Sequence, residues 1–415
     1  KNNTSTGETN TDPTPGGGGI SSWFYSSPII INSQIVNNSA YVGGGIYAFA
    51  NDLDDSGDIT INNSVISGNT AETYGGGIYC KNSSTSLENV TISGNSASYN
   101  GGGMFCASSN PTLTNVTFSG NTASIDGDGV YCGSSSSPIL MNSILWDNGT
   151  QEVFLSGASD TITVAYSDVQ GGQDSIVINN NGTVAWGSGN IDVDPRFVDE
   201  ENDDYHLLAS SMLINAGHPD STDSDGSRAD MGAYPYLNSY FGPTWYITEG
   251  GNDTTATGAS DDPFRSIQAA LNFGSDDDTA FVSAGTYNEN LVYRYDESAS
   301  IRSVSIIGED KATTIIDGQN TATCIKLSHN GYSTVTIKDF TVRNGYSAAS
   351  ANNDGGGLYA TNCTVTMENC VVSSNATDLG SGDNGGGLYV SNCDVILTSC
   401  AISDNTCGRY GGGIY

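Results

Sequence analysis

G-G-G-I-Y-C-K-N-S-S-T-S-L-E-N-V-T-I-S-G-N-S-A-S-Y-N runs from Gly75 to Asn100, and the same opening returns at Gly101 as G-G-G-M-F-C. A third copy opens at Gly127 as G-D-G-V-Y-C, so the period is 26 residues. Within each copy the apolar residues alternate: Leu87, Val90 and Ile92, then Leu113, Val116 and Phe118. Each run closes on S-G-N at Asn95 and Asn121. A fixed period in this range marks a solenoid. Short alternating runs broken by Gly, Asn and Ser read as strands and turns. About three short strands and three turns make one coil of a parallel β-helix, which buries its inward side chains by stacking on the next coil.

Working outward, coils begin at Gly16, after an apolar-poor stretch (residues 1–15) that reads as a linker or long loop. Ile46 to Ile78 exceeds one period, and the acidic bulge Asn51–Asp58 accounts for the excess. The recurring Asn at a coil corner has a mechanism. It tolerates a left-handed turn, and its amide can hydrogen-bond the coil above. After Trp146 the G-G-G signal disappears. Residues 190–234 then read as a terminal cap, irregular and acidic. At Thr244 the style resets. D-D-P-F-R-S-I-Q-A-A-L-N-F-G (Asp261–Gly274) predicts a short helix, with Pro263 in its first turn and Gly274 as its stop, able to plug an open β-helix end. G-G-G coils return at Gly355, Gly385 and Gly411. The resulting segments are 1–150 (linker, then coils with an open N-terminal end), 151–241 (last coils and closing cap) and 242–415 (capping helix, then a second set of coils with an open C-terminal end).

Lys and Arg number 12 against 46 Asp and Glu, a formal charge of −34. Nucleic acid and anionic membranes need a basic patch, so neither is expected as a partner. Divalent-cation binding and halophilic solvation stay open. No run of 18 apolar residues is present, so no membrane span is expected. A start at Lys1 with no signal peptide suggests a processed or excised form.

Nine cysteines are present. Cys80, Cys106 and Cys132 recur at one coil position, and Cys370 and Cys400 fall where other coils carry Val90 and Val116. These read as buried core. Cys363 and Cys393 align with Ser83 and Ser109 and are expected to be less buried. Stacked coils lie about 4.8 Å apart, within disulfide reach, so inert thiols are the expectation and disulfides the alternative. No C-x-x-C pair suggests zinc.

W-Y-I-T-E-G-G-N-D (Trp245–Asp253), D-P-F-R-S-I-Q-A-A-L and V-S-A-G-T-Y resemble the opening of secreted right-handed β-helix proteins of the pectate-lyase-like superfamily. D-P-R-F-V-D, Y-H-L, L-I-N-A-G and D-M-G-A-Y, between Asn190 and Tyr234, are similar to the closing region of bacterial choice-of-anchor surface proteins. The G-G-G-I-Y coils look like those of chlamydial polymorphic membrane proteins, although the second coil motif differs. The resemblance implies an all-β, right-handed parallel β-helix in two segments with one short capping helix, at the cell surface or outside a bacterial cell. It implies no activity, because the fold hosts lyases, adhesins and scaffolds alike.

A lyase would need calcium-holding carboxylates beside a basic residue. Lys81, Lys338, Arg343 and Arg409 are isolated, and no convergent Asp/Asp/Arg set is found, so no enzyme is expected. His206, His218 and His329 read as loop or packing residues. The best ion candidate is D-S-D-G-S-R-A-D: Asp223, Asp225 and Asp230 have the alternation that suits calcium, with Arg228 as an alternative structural neutraliser.

The order of parts is the sharpest signal. A closing region (Asn190–Tyr234) precedes an opening one (Trp245–Gly274), and the ten-residue join is too short, at about 30 Å extended, for the second half to fold back past the first. The expectation is therefore head-to-tail self-association into a filament, coils Gly385–Tyr415 stacking on coils Gly16–Tyr47 of the next copy. The interface residues are Gly16, Ile20, Ile30 and Ile46 on one side and Leu388, Ile402, Ile414 and Tyr415 on the other. A polysaccharide-binding or lyase-like β-helix and a passenger-type adhesin engaging a cell surface are the alternatives.

Overall fold

The computed structural model describes residues 3–5, 16–24, 26–50, 58–293, 303–348, 355–379 and 383–415, with side chains left aside at 328–333. Most of the 1–15 stretch and of the acidic bulge 51–58 lies outside these residues. The chain forms two compact units: Lys1–Leu207 with Met212–Leu237, and Leu208–Ser211 with Asn238–Tyr415.

Each full coil of the first unit gives a strand to each of three parallel sheets. One sheet stacks Ile20–Trp23, Ile46–Phe49, Ile78–Lys81, Met104–Ala107, Val130–Gly133, Val153–Leu155 and Ile176–Ile178. A second takes the long strands such as Ser86–Ser93 and Thr112–Ser119, and a third takes two-residue strands such as Ser96–Ala97. Register follows the repeat. Leu87 pairs with Leu113, Val90 with Val116 and Ile92 with Phe118, and Cys80, Cys106 and Cys132 lie in line. The inward members are fully buried and form one continuous core. All nine cysteines are free thiols, and burial in that core pushes Cys80 up to about 12. A thiol held that far above its ordinary value carries no thiolate and packs as a small hydrophobe.

The three glycines of G-G-G answer three different constraints. Gly75 has φ +67°, the left-handed region that a Cβ disfavours. A Cβ on Gly76 would lie 2.5 Å from the carbonyl oxygens of Gly102 and Ser96. One on Gly77 would lie 2.6 Å from Gly103 O and 3.1 Å from Nδ2 of Asn95. The corner is therefore a place where successive backbones touch.

The corner asparagines do half of what the sequence suggests. In Asn38, Asn69, Asn95 and Asn121 the backbone N–H and the Nδ2 both donate to the Oδ1 of the next asparagine, at 2.7–3.2 Å, ending on Asn148. Each of Asn69, Asn95, Asn121 and Asn148 also donates to a backbone carbonyl of the preceding coil. These side chains are buried. They are not the left-handed residues, however. That role falls one residue earlier, on Asn37, Gly68, Gly94 and Gly120. A separate, outer row (Asn63, Asn89, Asn115) combines positive φ with single amide bonds of 2.9–3.0 Å.

The segment read as a cap packs against the outward side of the long-strand sheet. Ser119 Oγ donates to Glu200, Ala233 N–H donates to Thr117 Oγ1, and His218 N–H donates to Asn142 Oδ1. This cover explains why Thr91, Ser93, Thr117 and Ser119 are buried although they alternate with core residues.

In the second unit, strands Thr244–Ile247, Asp278–Val282, Val304–Gly308, Ile325–Lys338, Leu358–Glu368 and Leu388–Ser391 stack in parallel. The helix spans Ile267–Phe273 only. Ser266 is its N-cap, accepting from Ala269 N–H at 3.3 Å. Asp261 to Arg265 stay outside it, so Pro263 does not sit in the first turn. Phe264 N–H donates to Tyr246 O and Asp262 accepts from Thr257, which ties this stretch to strand Thr244–Ile247 as a bridge. The first helical N–H groups donate to the carboxylate of Glu289. Ile267 to Leu271 are buried, against Thr244–Ile247, Asp278–Val282 and Leu291–Tyr293.

Two predictions follow from the buried ladder. Asn95→Ala leaves the buried Asn69 N–H without its acceptor, takes one of two acceptors from Asn69 Nδ2, and removes the side-chain donor to Ile66 O, at about 1–3 kcal/mol for a buried unpaired group. It should lower unfolding stability by about 2 kcal/mol or more, against under about 1 kcal/mol for Asn89→Gly on the outer row. Urea unfolding of both variants tests this, and equal losses would refute the distinction.

The ladder ends on Glu152, whose carboxylate accepts from Asn148 N–H at 3.3 Å and Nδ2 at 2.7 Å. Burial pushes Glu152 up to about 7, although the Asn148 bonds act the other way. A carboxyl raised in the folded state binds its proton more tightly there than in the unfolded chain. Its contribution is complete below the unfolded value of 4.5 and is lost as pH rises through about 7. At about 1.4 kcal/mol per unit, the loss is on the order of 3 kcal/mol. Glu152→Gln keeps an acceptor and has no such proton to lose. Its stability should fall less than that of the parent between about pH 5 and pH 8. Parallel pH profiles for the two proteins would rule this out.

Candidate functional site

At the N-terminal face of the first unit, the strands Ile20–Trp23, Ile29–Ile31 and Gln34–Val36 form the last members of their sheets. Among the described residues each pairs on one side only, with Ile46–Phe49 or Thr60–Ser67. Thr4–Ser5 already occupies the short-strand sheet one layer further out, in register with Ser39–Ala40. The long-strand sheet has no described member in that layer. A cleft of about 500 Å³ lies there, lined by Asn3, Ile20, Ile30 and Ile35 among others. Ile29 is 69% and Ile31 51% exposed beside it, while Ile30 points inward and is buried. Gly16 pairs with Val42 at the corner, and Ile46 lies one coil inside, fully buried.

At the C-terminal face of the second unit, Leu388 pairs with Ile414, and Tyr415 exchanges hydrogen bonds with Leu388 and Val390. Gly411–Tyr415 thus starts a layer in one sheet. Beside it, strands Asp394–Thr398 and Ala401–Ser403 pair on one side only among the described residues. Ile396, Ile414 and Tyr415 are exposed, Ile402 is half-buried, and Leu388 lies one coil inside. Among the described residues, the outermost layer at the first face holds the short strand Thr4–Ser5, and that at the second holds Gly411–Tyr415.

The asparagine ladder has a direction, and its ends differ. In the second unit Asn375 N–H and Nδ2 donate to Asn405 Oδ1 at 3.0 Å. The N–H of Asn405 has no partner among the described residues, and its Nδ2 donates to Val372 O alone. At the other terminus Asn3 donates twice to Asn38 Oδ1, at 3.0 Å each, and its own Oδ1 accepts nothing among the described residues. Among the described residues, the Asn405 end of its ladder carries donors and the Asn3 end of the other carries an acceptor.

Aromatic columns run along the G-G-G sheets. Tyr47, Tyr79, Phe105, Tyr131 and Phe154 stack at 4.6–5.4 Å with planes within 9° of parallel. Tyr359, Tyr389 and Tyr415 stack at 5.3 and 5.5 Å with interplanar angles of 7° and 17°. The first column ends under Trp23, 5.3 Å from Tyr47, and Lys81 lies over the Phe49 ring.

The acidic turn is organised around backbone donors. Asp230 is buried; its Oδ1 accepts from Asn215 N–H at 2.6 Å and its Oδ2 from Tyr236 N–H at 2.7 Å. Asp223 accepts from Asp230 N–H, and Asp225 accepts from the N–H and hydroxyl of Ser227. Burial pushes Asp223 up to about 6, and burial together with the neighbouring Asp223 raises Asp230 well above the usual carboxylate range. Arg228 donates to Gly217 O and lies over Tyr166. Among the described residues, no group of three or more His, Cys, Asp or Glu side chains is arranged to hold a metal ion.

The remaining polar candidates are tied locally. His206 pairs with Asp204 and stacks on Tyr234, and His218 packs edge-on to Tyr166. The His329 side chain lies outside the description. Lys338 pairs with Glu368, Arg343 with Asp317, and Arg409 lies over Tyr410. Cys363, expected to be less buried, is buried, whereas Cys393 is half-exposed. Their sulfurs are in contact at 3.6 Å, a pairing the coil alignment held but did not display as a contact.

Residues 52–194 match the family model of the right handed beta helix region. No curated protein and no solved structure matches the chain. That match and the in-register parallel coils together support one conclusion: this is a right-handed parallel β-helix protein.

Proposed function

We propose that the chain is a non-enzymatic structural β-helix of the cell exterior that extends head to tail. The coils Gly385–Tyr415 of one copy stack on Gly16–Tyr47 of the next. The exterior location rests on the resemblance of the opening and closing motifs. The assembly reading rests on the polarity of the asparagine ladder: donors at Asn405 on one face, an acceptor at Asn3 on the other. Strand edges unpaired among the described residues, and exposed Ile29, Ile31, Ile396 and Ile414, add apolar surface to that match. A buried asparagine bond across the join recovers donors that would otherwise be spent on water, and stacking removes both edges. Such a contact is heterologous and propagates unless rotation closes a ring.

Deleting residues 385–415 should abolish assembly, read by sedimentation and electron microscopy. Asn405→Ala should weaken it roughly tenfold, the effect of about 1.4 kcal/mol per contact. Filaments of unchanged form from the truncated protein would overturn the model.

A further inference from the structure

We infer that Cys363 and Cys393 are an inter-coil disulfide site that closes in the presence of a low-molecular-weight disulfide. The first unit shows what the position does elsewhere. There Ser83 N–H donates to Ser109 Oγ at 3.2 Å, and Ser109 N–H to Ser136 Oγ at 3.1 Å. In the second unit Cys363 N–H donates to Cys393 Sγ at 3.4 Å. The cysteines thus replace a serine ladder and inherit its geometry, with the Cys393 sulfur aimed back at Cys363 of the preceding coil.

The backbone is set for the bond. Both cysteines follow a corner asparagine of positive φ, Asn362 and Asn392, and these are joined by an amide bond of 2.7 Å. The next residues, Thr364 and Asp394, are direct partners in parallel strands. Adjacent strands lie about 4.8 Å apart, inside the Cα range that a disulfide spans. The Sγ atoms, 3.6 Å apart, need only side-chain rotation to bond.

The other thiols differ. Cys370 Sγ donates to Ile337 O and Glu368 O, and Cys400 Sγ to Met367 O and Thr398 O; Cys393 Sγ likewise donates to Ser391 O at 3.3 Å, but it also accepts from Cys363 N–H and touches Cys363 Sγ. Cys80, Cys106 and Cys132 are fully buried, beyond a reagent's reach. Among the described residues, Cys363–Cys393 is the pair whose sulfurs touch while one member, Cys393, is open to solvent.

The chemistry balances without another reactant. The Cys393 thiolate attacks one sulfur of the reagent disulfide, forming a mixed disulfide and expelling one reagent thiolate. Cys363 then attacks Cys393 Sγ, and the second reagent thiolate leaves with the proton. Two protein thiols lose two electrons, and the reagent is reduced to two thiols. Burial disfavours the Cys363 thiolate, so this residue resolves the mixed disulfide and does not start the reaction.

The test treats the reduced full chain with oxidised glutathione at mildly alkaline pH, then unfolds it at acid pH, blocks residual thiols, and maps peptides without reduction. The expected product is a Cys363–Cys393 linkage in a chain two hydrogen atoms lighter, with the other cysteines blocked. Cys363→Ser, which restores the residue of the serine ladder, should stop at one glutathione on Cys393. The inference is overturned if the parent chain also stops there, if Cys393 links to a different cysteine, or if it does not react. Loss of 385–415-dependent assembly has no bearing on this readout, so the two proposals fail separately.

Discussion

The structure depends on one repeated contact, the close approach of successive backbones at the G-G-G corner. At Gly76 and Gly77 the next coil's carbonyl oxygens stand where a Cβ would be, and the ladder asparagine fills the inside of the same corner. The glycines allow the coils to touch, and the asparagine supplies the polar partners that a buried corner would otherwise lack. Because both act at coil spacing, every other position is forced into register. Cysteine lies on cysteine, leucine on leucine, and tyrosine on tyrosine.

Departures from the repeat occur where the corner is relieved by other means. Asp128 replaces the middle glycine of its corner, and its buried carboxylate accepts from the N–H groups of Ala123, Thr150 and Gln151. The ladder stops one coil later, at Asn148 and Glu152. A carboxylate takes up the donors that a further asparagine would have accepted, and beyond it the G-G-G signal is absent. The end of the regular coils in the first unit is therefore a change of hydrogen-bond partner.

Much of this was legible in the residues. Alternation at Leu87, Val90 and Ile92 named the inward face, and the spacing of Cys80, Cys106 and Cys132 named a buried row, because period and burial share one cause in a solenoid. The asparagine row was legible as a ladder but not in its division of labour. Positive φ and the amide stack fall on neighbouring residues, Gly94 and Asn95, and composition at a corner does not separate them. The helix starts later than Pro263 and Asp262, good helix openers in isolation, predict, because Phe264 pairs with the strand at Tyr246 through a tertiary contact. Burial of Ser93 and Ser119 was hidden for a similar reason, since their cover comes from residues about a hundred positions away. The contact between Cys363 and Cys393 needed side-chain direction, which alignment does not carry.

The fit at the glycine corner also bears on how such a chain can change in length. A duplication or loss of one whole period sets glycine on glycine and asparagine on asparagine, so the new coil meets its neighbours as the old one did. Any other length change confined to the corner would bring a side chain to the 2.5 Å approach of Gly76 to the next backbone. Between Ile46 and Ile78 the extra residues fall in sequence between the strands Ile46–Phe49 and Thr60–Ser67, and both strands keep their register with the coils that follow. The corner thus acts on heritable variation as a frame: whole coils are readily counted up or down, and part-coils survive only as loops.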